Sequence, residues 1–376
     1  MTGLYLHIPF CKQSCHYCNF HFSTSQNNRE EVLTAINKEI NQKALGFNDK
    51  ISTIYFGGGT PTVLTEKELN TIIENILKKF DVEKNIEITI EANPDDLTES
   101  KISSLSNSVI NRISIGVQSF IDKELKSMNR AHDSKKAIKS IEMAKKYFQN
   151  ISIDLLYGLP DSNLDSCNYN LDLIQKFDLN HISAYALTIE PKTALQSYLK
   201  KSIIEIPDEQ LVYDQFKLIN ERLTKTGFIN YEVCSFAKKD FFSQNNSAYW
   251  LRKKYIGIGP SAHTYDGFSR SWNISNNAKY ISHINSGKLN PKREVLSKID
   301  LYNEYVMTGL RTMWGVSTTY ILKNFGEKFY KHFLNGSKKH IKSKNLSKNG
   351  DLYTVSKKGR FLTDGIAAEL FLIKLK

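Results

Sequence analysis

Short apolar runs rich in β-branched residues alternate with amphipathic segments along the first half of the chain. Strand, helix, strand at this spacing is typical of βα units, which build a parallel sheet flanked by helices. Six such units predict an α/β fold of the TIM type, a partial (β/α)6 barrel whose chemistry lies at the carboxyl ends of the strands. The predicted strands span residues 4–8, 53–56, 86–90, 113–117, 151–156 and 182–187, and the predicted helices span 30–45, 66–80, 122–128, 135–148 and 168–177.

Polar residues or glycines follow all six predicted strands. Consecutive glycines after the second strand let a ligand approach the backbone closely. Asp154 lies within the fifth strand, where a carboxylate is costly unless it is paired or functional, and Arg130 is its candidate partner. Taken singly, these residues are ordinary turn and cap chemistry. Polar residues or glycines at six successive strand ends are harder to dismiss together than singly.

Three of the five cysteines lie on the loop after the first predicted strand, as Cys11, Cys15 and Cys18 with the spacing C-x3-C-x2-C. Three thiolates within one short loop indicate a metal site. Soft thiolates select zinc or an iron–sulfur cluster. A four-iron cluster held by three cysteines leaves one iron open to a small-molecule ligand.

Structural zinc is the alternative at this loop. Such a site needs four ligands and usually shows paired C-x2-C units. A second pair is missing, because Cys167 and Cys234 are single and distant, so His16 or His21 would supply the fourth ligand. The odd number and scarcity of cysteines disfavour a disulfide framework.

The formal net charge of +12 raises the question of a nucleic-acid or anionic-membrane partner. Lysine far outnumbers arginine, the better partner for phosphate, and the lysines are spread along the whole chain. A solvated surface is therefore the preferred interpretation, and no nucleic-acid partner is expected. No apolar run is long enough to predict a membrane span. The expected location is the cytoplasm, whose reducing conditions suit free thiols.

The pattern changes after residue 190. A long amphipathic helix is predicted from Pro207 to about residue 223, and the polar stretch 274–293 is predicted to be a loop or linker. From Asp300 the sequence predicts a small helix–strand module of the winged-helix type. Three regions are expected: the barrel core at 1–200, a barrel extension with a connecting segment at 201–293, and the C-terminal module at 294–376.

The loop and the strand-end motifs together resemble a known family. C-x3-C-x2-C is the signature of the radical S-adenosylmethionine (radical SAM) superfamily. The ordered segments LYLHIPFC, GGGTP, EANP, RISIGVQSF, NRAH and IDLLYGLP closely resemble its oxygen-independent coproporphyrinogen III oxidase-like group, and the C-terminal module looks HemN-type. The resemblance implies a [4Fe–4S] cluster on Cys11, Cys15 and Cys18, with SAM chelating the open iron through its amino and carboxylate groups.

The resemblance also implies which residues contact SAM. Glu91 has the charge that suits the ammonium group of SAM, and Arg130 suits its carboxylate. Gln118 and Asp154 are expected to hydrogen-bond the ribose hydroxyls, and Tyr17 to offer adenine a flat face or a backbone edge. The full set of implied contacts is Tyr5, Tyr17, Gly58, Gly59, Thr60, Glu91, Gln118, Arg130 and Asp154.

Within this group the chain looks like the HemW haem chaperones. The dehydrogenase of the group carries a further cysteine two places after the third, where this chain has Phe20. The segments YALTIEP, NEYVMTGLRT and GRFLTDGIAAELF are similar to HemW. The resemblance implies a protein that binds haem and passes it to acceptor proteins, with membrane-associated acceptors among the candidates. The cluster implies an electron donor as a further partner.

One motif departs from the HemW pattern. HemW proteins usually carry an H-N-x-x-Y-W motif linked to haem, and the matching segment here has Asn245 in place of the histidine. Asparagine is a poor iron ligand, so another residue must ligate the iron of bound haem. The candidates are His263, His21 and His132, although a histidine is more often a hydrogen-bonded structural residue.

Three functions are compatible with these features. A haem-trafficking protein on a radical SAM scaffold is preferred because of the HemW-like segments and Phe20. Oxidative decarboxylation of coproporphyrinogen III is the alternative, supported by the shared core and disfavoured by Phe20. A radical SAM enzyme acting on RNA has only the net charge in its favour.

Overall fold

The computed structural model describes residues 2–287 and 291–373. Six parallel strands follow one another in chain order across one sheet, which confirms the predicted succession of βα units. The strands are β1 (Thr2–Ile8), β2 (Ile51–Gly58), β3 (Val82–Ala92), β4 (Arg112–Gln118), β5 (Asn150–Tyr157) and β6 (His181–Ala186). The helices between them are α1 (Arg29–Ala44), α2 (Glu66–Lys79), α3 (Glu99–Ser106), α4 (Asp122–Ser127), α5 (Ser134–Tyr147) and α6 (Leu164–Phe177). Of these helices, α3 was not predicted from the sequence.

The strands are buried on both faces for most of their length, as expected for parallel strands covered by helices. Each helix turns one apolar stripe toward the sheet, and α2 is a clear example. Thr65 and Glu68 form a capping box at its start, and Leu69, Ile72 and Ile76 are buried along one face. The carboxyl ends of the strands consequently share one edge of the sheet, with their connecting loops above it.

The sheet continues beyond the six predicted strands at both edges. The strand β9 (Lys254–Ile258) runs parallel to β1 on its free side, and an antiparallel meander follows with β10 (His263–Tyr265), β11 (Ser269–Trp272) and β12 (Lys292–Val295). At the other edge, β8 (Ser235–Ala237) pairs with β6, and β7 (Ile229–Asn230) pairs with β8. In the described part of the chain β12 and β7 do not pair with each other, so the barrel is open, as predicted.

Four helices lie between residues 190 and 290: α7 (Ala194–Lys200), α8 (Glu209–Lys225), α9 (Gln244–Trp250) and α10 (Asn277–Asn285). The prediction of a loop or linker over 274–293 is wrong for α10, and residues 288–290 of that stretch lie outside the described residues. The helix α10 packs on α1 through Tyr280 and Ile284. The hydroxyl of Tyr280 and the side-chain amide of Asn273 both donate to the carboxylate of the buried Glu39, at 2.6 and 2.8 Å. This long-range partner is not visible in a local sequence pattern.

The C-terminal residues form helices and a small three-stranded sheet around apolar residues of their own. The elements are α11 (Lys298–Leu310), β13 (Val316–Ser317), α12 (Thr318–Phe325), α13 (Glu327–Lys342), β14 (Leu346–Asn349), β15 (Leu352–Val355) and α14 (Thr363–Glu369). Helices with a β-hairpin agree with the predicted winged-helix-like module, while the three region boundaries stay a prediction. Across residues 2–287 and 291–373, every helix is too short or too polar to span a membrane.

Candidate functional site

The cysteine loop leaves the carboxyl end of β1 and is held against the glycine turn after β2. The amide of Gly59 donates to the carbonyl of Ile8 at 2.8 Å, and the amide of Thr60 donates to the carbonyl of Phe10 at 2.7 Å. A Cβ on Gly59 would lie 2.6 Å from the Phe10 carbonyl oxygen, so only glycine fits here. The hydroxyl of Thr60 also donates to Cys11 Sγ at 3.4 Å. The glycine turn therefore sets the position of the first cysteine.

A single hydrogen-bonded chain joins two of the three cysteines. Asn93 donates from Nδ2 to Thr60 Oγ1 at 3.0 Å and accepts from Arg130 at 2.8 Å, and Arg130 donates in turn to Cys15 Sγ at 3.1 Å. Cys11, at one end, accepts from the hydroxyl of Thr60. Asn93 was not predicted as a site residue, although it lies in the EANP segment at the end of β3.

The three thiols fit a cluster better than a single ion. All three line one cavity, and burial raises the pKa of Cys11 to about 12 and also raises the pKa of Cys18. Binding to a metal ionises a thiol even in such surroundings. Each cysteine of a four-iron cluster binds a different iron, so the three sulfur atoms need not converge on one point.

The geometry does not support the zinc alternative. No three His, Cys, Asp or Glu side chains within 2–287 and 291–373 converge where one metal ion could be held. Each candidate fourth ligand uses one ring nitrogen in a hydrogen bond, which leaves the other nitrogen available. His16 donates from Nδ1 to the carbonyl of Ser127 at 2.9 Å, and His21 donates from Nε2 to Asn277 Oδ1 at 2.8 Å.

The cavity beside the cysteines has a volume of about 450 Å³ and is lined by eight of the nine predicted SAM contacts. Tyr5 is the exception. Its ring stacks on that of Tyr55 with the centroids 6.1 Å apart, and it lines a neighbouring, larger cavity. The residues brought together at the smaller cavity are Tyr17, Gly58, Gly59, Thr60, Glu91, Gln118, Arg130 and Asp154. Their contacts with SAM stay a prediction.

Glu91 is the carboxylate best placed to take a cation in the smaller cavity. Burial, together with the nearby charge of Asp154, raises its pKa to about 7, against the opposing effect of the Tyr55 hydroxyl, which donates to Oε1 at 2.8 Å. A buried carboxylate of this kind is stabilised in its charged form when an ammonium group arrives.

Asp154 and Arg130 are not partners, so the predicted pairing is wrong. Burial raises the pKa of Asp154 to about 6, and its hydrogen bonds come from Ser183 and, at 3.5 Å, from Ser114. Arg130 instead donates to the Gly116 carbonyl at 2.7 Å, in addition to its bonds with the asparagine and cysteine described above. The loop after α4 directs this arginine toward the cysteine loop, so it acts on Asp154 only through its charge, which opposes the rise in the pKa of that carboxyl.

Gln118 ends β4 with a backbone φ of +67°, in the left-handed region that favours glycine. Such strain persists where the surroundings hold the residue firmly, and it is common at binding sites. Its side chain lines the smaller cavity, and a Cβ on Gly116 would lie 3.1 Å from its Nε2 atom.

The larger cavity has a volume of about 1060 Å³ and lies between the sheet extension and the C-terminal module. Aromatic rings form much of its wall, and arginines and glutamates reach into it. Asn19, Phe20 and Tyr185 line both cavities, so they stand where the two meet. Phe20 has 70% of its surface exposed, which is unusual for a phenylalanine. The aromatic lining residues are Tyr5, Phe20, Tyr185, Tyr249, Trp250, Tyr255 and Tyr265.

The candidate haem ligands have different positions. His263 and His21 line the larger cavity, whereas His132 is buried, donates to the carbonyl of Val117 at 3.0 Å and lines neither cavity. Asn245 is also buried and absent from the cavity wall. Its Oδ1 accepts from Thr53 at 3.3 Å, inside the barrel.

Comparison with known proteins agrees with this geometry. Residues 5–174 match the radical SAM superfamily model. The chain is 34% identical over 336 residues to the heme chaperone HemW of Bacillus subtilis, covering 88% of this chain and 87% of that protein. It is 36% identical over 318 residues to the heme chaperone HemW of Buchnera aphidicola subsp. Acyrthosiphon pisum, covering 82% of each. The solved coproporphyrinogen III oxidase HemN of Escherichia coli has the same fold, with a TM-score of 0.86 and 22% identity, over 98% of this chain and 90% of that one.

Proposed function

The chain belongs to the HemW family within the radical SAM superfamily, and on that premise we propose that it is a haem chaperone that binds haem and passes it to acceptor proteins. One observation carries the proposal: a large, aromatic, arginine-bearing cavity adjoins the cysteine cavity. A porphyrin is flat and apolar with two carboxylates, so aromatic walls and cations suit it.

The smaller cavity takes the [4Fe–4S] cluster and SAM in this proposal. Cys11, Cys15 and Cys18 would hold three of the irons. When bound, the cluster supplies an electron that can cleave SAM. Glu91 would hold the ammonium group of SAM and Arg130 its carboxylate, while Gln118 and Asp154 would hydrogen-bond the ribose. A further SAM contact would come from Tyr17, Gly58, Gly59 and Thr60, and Tyr5 would act through Tyr55, on which its ring stacks.

The partners and location follow from the same proposal. Haem is the cargo, haem-acceptor proteins receive it, and an electron donor reduces the cluster. The cytoplasm is the proposed location, with membrane-associated acceptors among the candidates. We also propose the division into a barrel core at 1–200, an extension and connecting segment at 201–293, and a HemN-type C-terminal module at 294–376.

Phe20 separates this function from decarboxylation of coproporphyrinogen III. The dehydrogenase carries a further cysteine at this position of its loop, and here a phenyl ring stands between the two cavities. A phenyl ring supplies neither a thiol nor an acid–base group to a substrate in either cavity. Haem binding without decarboxylation is therefore the expected behaviour.

An anaerobic assay of the cluster-loaded protein tests the proposal. The protein is reconstituted, and haem binding is followed by absorbance, alongside conversion of coproporphyrinogen III and release of 5′-deoxyadenosine. Transfer is measured by adding apomyoglobin as a probe acceptor. We expect haem uptake and transfer without decarboxylation, and rapid formation of protoporphyrinogen would overturn the chaperone assignment.

A further inference from the structure

The larger cavity needs an iron ligand other than the residue at the motif position. Asn245 begins the segment that corresponds to the haem-linked motif, and its side chain is buried inside the barrel. The backbone N–H of Asn245 donates to Glu87 Oε1 at 3.1 Å, and its side-chain Oδ1 accepts from Thr53. The later residues of the same helix, Tyr249 and Trp250, do line the cavity. The helix α9 therefore contributes aromatic residues to the cavity wall, and its motif position contributes no iron ligand.

Three histidines line the larger cavity, and their ring nitrogens are engaged to different extents. His7 uses both: Nδ1 accepts from Tyr5 at 3.3 Å, and Nε2 donates to a backbone carbonyl at 2.8 Å. His21 uses Nε2 on Asn277 at 2.8 Å. Neither ring nitrogen of His263 has a hydrogen-bond partner among residues 2–287 and 291–373, and its ring stacks on Trp272 with the centroids 5.6 Å apart. His263 is thus held in place with its nitrogens available.

Three arginines line the same cavity, and two of them have carboxylate partners. Arg270 pairs with Glu304 at 2.8 Å, and Arg311 pairs with Asp364. Arg252 forms no salt bridge in the described part of the chain, although its charge opposes the rise in pKa that burial causes at the nearby Glu304; its Nη2 reaches only the Tyr265 hydroxyl, at 3.5 Å, and its Nε is buried without a hydrogen bond.

Arg252 lies just after the end of α9, where its left-handed φ of +56° closes the helix: its N–H donates to the Tyr249 carbonyl and that of Lys253 to the Ala248 carbonyl. The guanidinium also lies over the ring of Tyr305, 6.0 Å from the centroid, which fixes its direction. A guanidinium held in this way, without a salt bridge of its own, suits a carboxylate on a ligand.

We propose that His263 ligates the iron of haem in the larger cavity and that Arg252 binds one of its propionates. This assignment rests on haem being the cargo. Imidazole is a common ligand of haem iron, and the propionates are the only charged groups on the porphyrin. The aromatic residues of the cavity wall would then contact its faces. The motif departure at Asn245 is compensated by a histidine on the neighbouring strand β10.

Titrations of the cluster-loaded protein with two porphyrins test the two roles separately. The probes are ferric haem and metal-free protoporphyrin IX, which has the carboxylates and lacks the iron. His263→Ala is expected to weaken haem affinity at least about tenfold and to remove the histidine-ligand signature from the electron paramagnetic resonance spectrum. It should leave protoporphyrin IX affinity within about twofold. Arg252→Gln is expected to weaken the affinity for both porphyrins by about tenfold or more.

Matched variants and rescue separate ligation from damage to the fold. His283→Ala and Arg293→Gln change the same residue types outside the cavity wall and should match the wild type. Added imidazole should restore the nitrogen-ligand signature to His263→Ala. Unchanged haem binding by His263→Ala, or loss of the signature only in His21→Ala, would overturn the ligand assignment. A wild-type protein that binds neither porphyrin would instead overturn the proposed function.

Discussion

Replacing Asn93 with alanine should loosen the cysteine loop, because Asn93 links Thr60 to Arg130. The substitution removes one neutral hydrogen bond, worth about 0.5–1.5 kcal/mol, and one from a charged group, worth about 1.5–3 kcal/mol. The free energy of unfolding of the cluster-free protein is therefore expected to fall by about 2–4.5 kcal/mol. Arg130 keeps its bond to the Gly116 carbonyl, so it stays near the loop with less restraint on its direction.

The cluster should report the same loss of restraint. A group that orients a metal ligand typically changes metal affinity about 10- to 100-fold when it is removed, so cluster loss to a chelator should accelerate by about tenfold. The measurements are urea unfolding of the cluster-free protein and the decay of iron–sulfur absorbance after chelator is added. Asn85→Ala is the matched control, because Asn85 is exposed on the same strand, and its effect should stay within about 0.5 kcal/mol. The reasoning fails if the two variants unfold and lose the cluster alike.

Four further predictions concern the same cavities. Cys15→Ala should abolish the iron–sulfur absorbance while circular dichroism shows a folded protein; a full cluster spectrum would contradict the ligand assignment. Gly59→Ala should prevent cluster assembly, because its Cβ would lie 2.6 Å from a backbone oxygen, whereas Gly365→Ala, with open space around it, should assemble normally by iron analysis. Glu91 has a folded-state pKa raised to about 7 by burial, so its stabilising contribution should be present below about pH 4.5 and be lost as pH rises to about 7, while SAM affinity rises over the upper part of this range; calorimetric titration at several pH values checks this, and Glu91→Gln should reduce the pH dependence to the part that Asp154, with a pKa of about 6, contributes. Phe20→Ala should change the free energy of unfolding by no more than about 0.5 kcal/mol, because the ring is 70% exposed. It should weaken haem affinity about tenfold by removing apolar contact, and equal haem affinity would show that the ring does not contact the haem.

Much of the smaller site was predictable because it follows from the order of elements along the chain. The carboxyl ends of successive parallel strands meet at one edge of a sheet, so residues that end β2 to β5 must lie near the loop that ends β1. Gly58, Gly59, Thr60, Glu91 and Gln118 line that cavity for this reason, and Asp154 lines it from within β5; Tyr17 lies on the cysteine loop itself, and Arg130 lies after α4. Tyr5 was assigned to the same place by resemblance, but it lies within β1 and faces the neighbouring cavity.

The features that were missed depend on residues far apart in the chain. Arg130 was assigned to Asp154 because a carboxylate within a strand is costly unless it is paired, yet the loop after α4 turns the arginine toward Cys15. The stretch 274–293 is polar enough to resemble a linker, and α10 forms there because Tyr280 donates to the buried Glu39. Such long-range partners cannot be predicted from the local composition of a segment.

The sequence alone determined the fold class and the family, because βα periodicity and motif spacing are local properties of the chain. Only the tertiary structure showed which elements enclose the larger cavity. The strands after residue 190 extend the same sheet and, with the C-terminal module, enclose the larger cavity. Packing places the side chain of Asn245 inside the barrel and those of His263 and Arg252 at the wall of the larger cavity. The direction of a side chain depends on the elements packed against it, and the spacing of residues along the chain does not specify that direction.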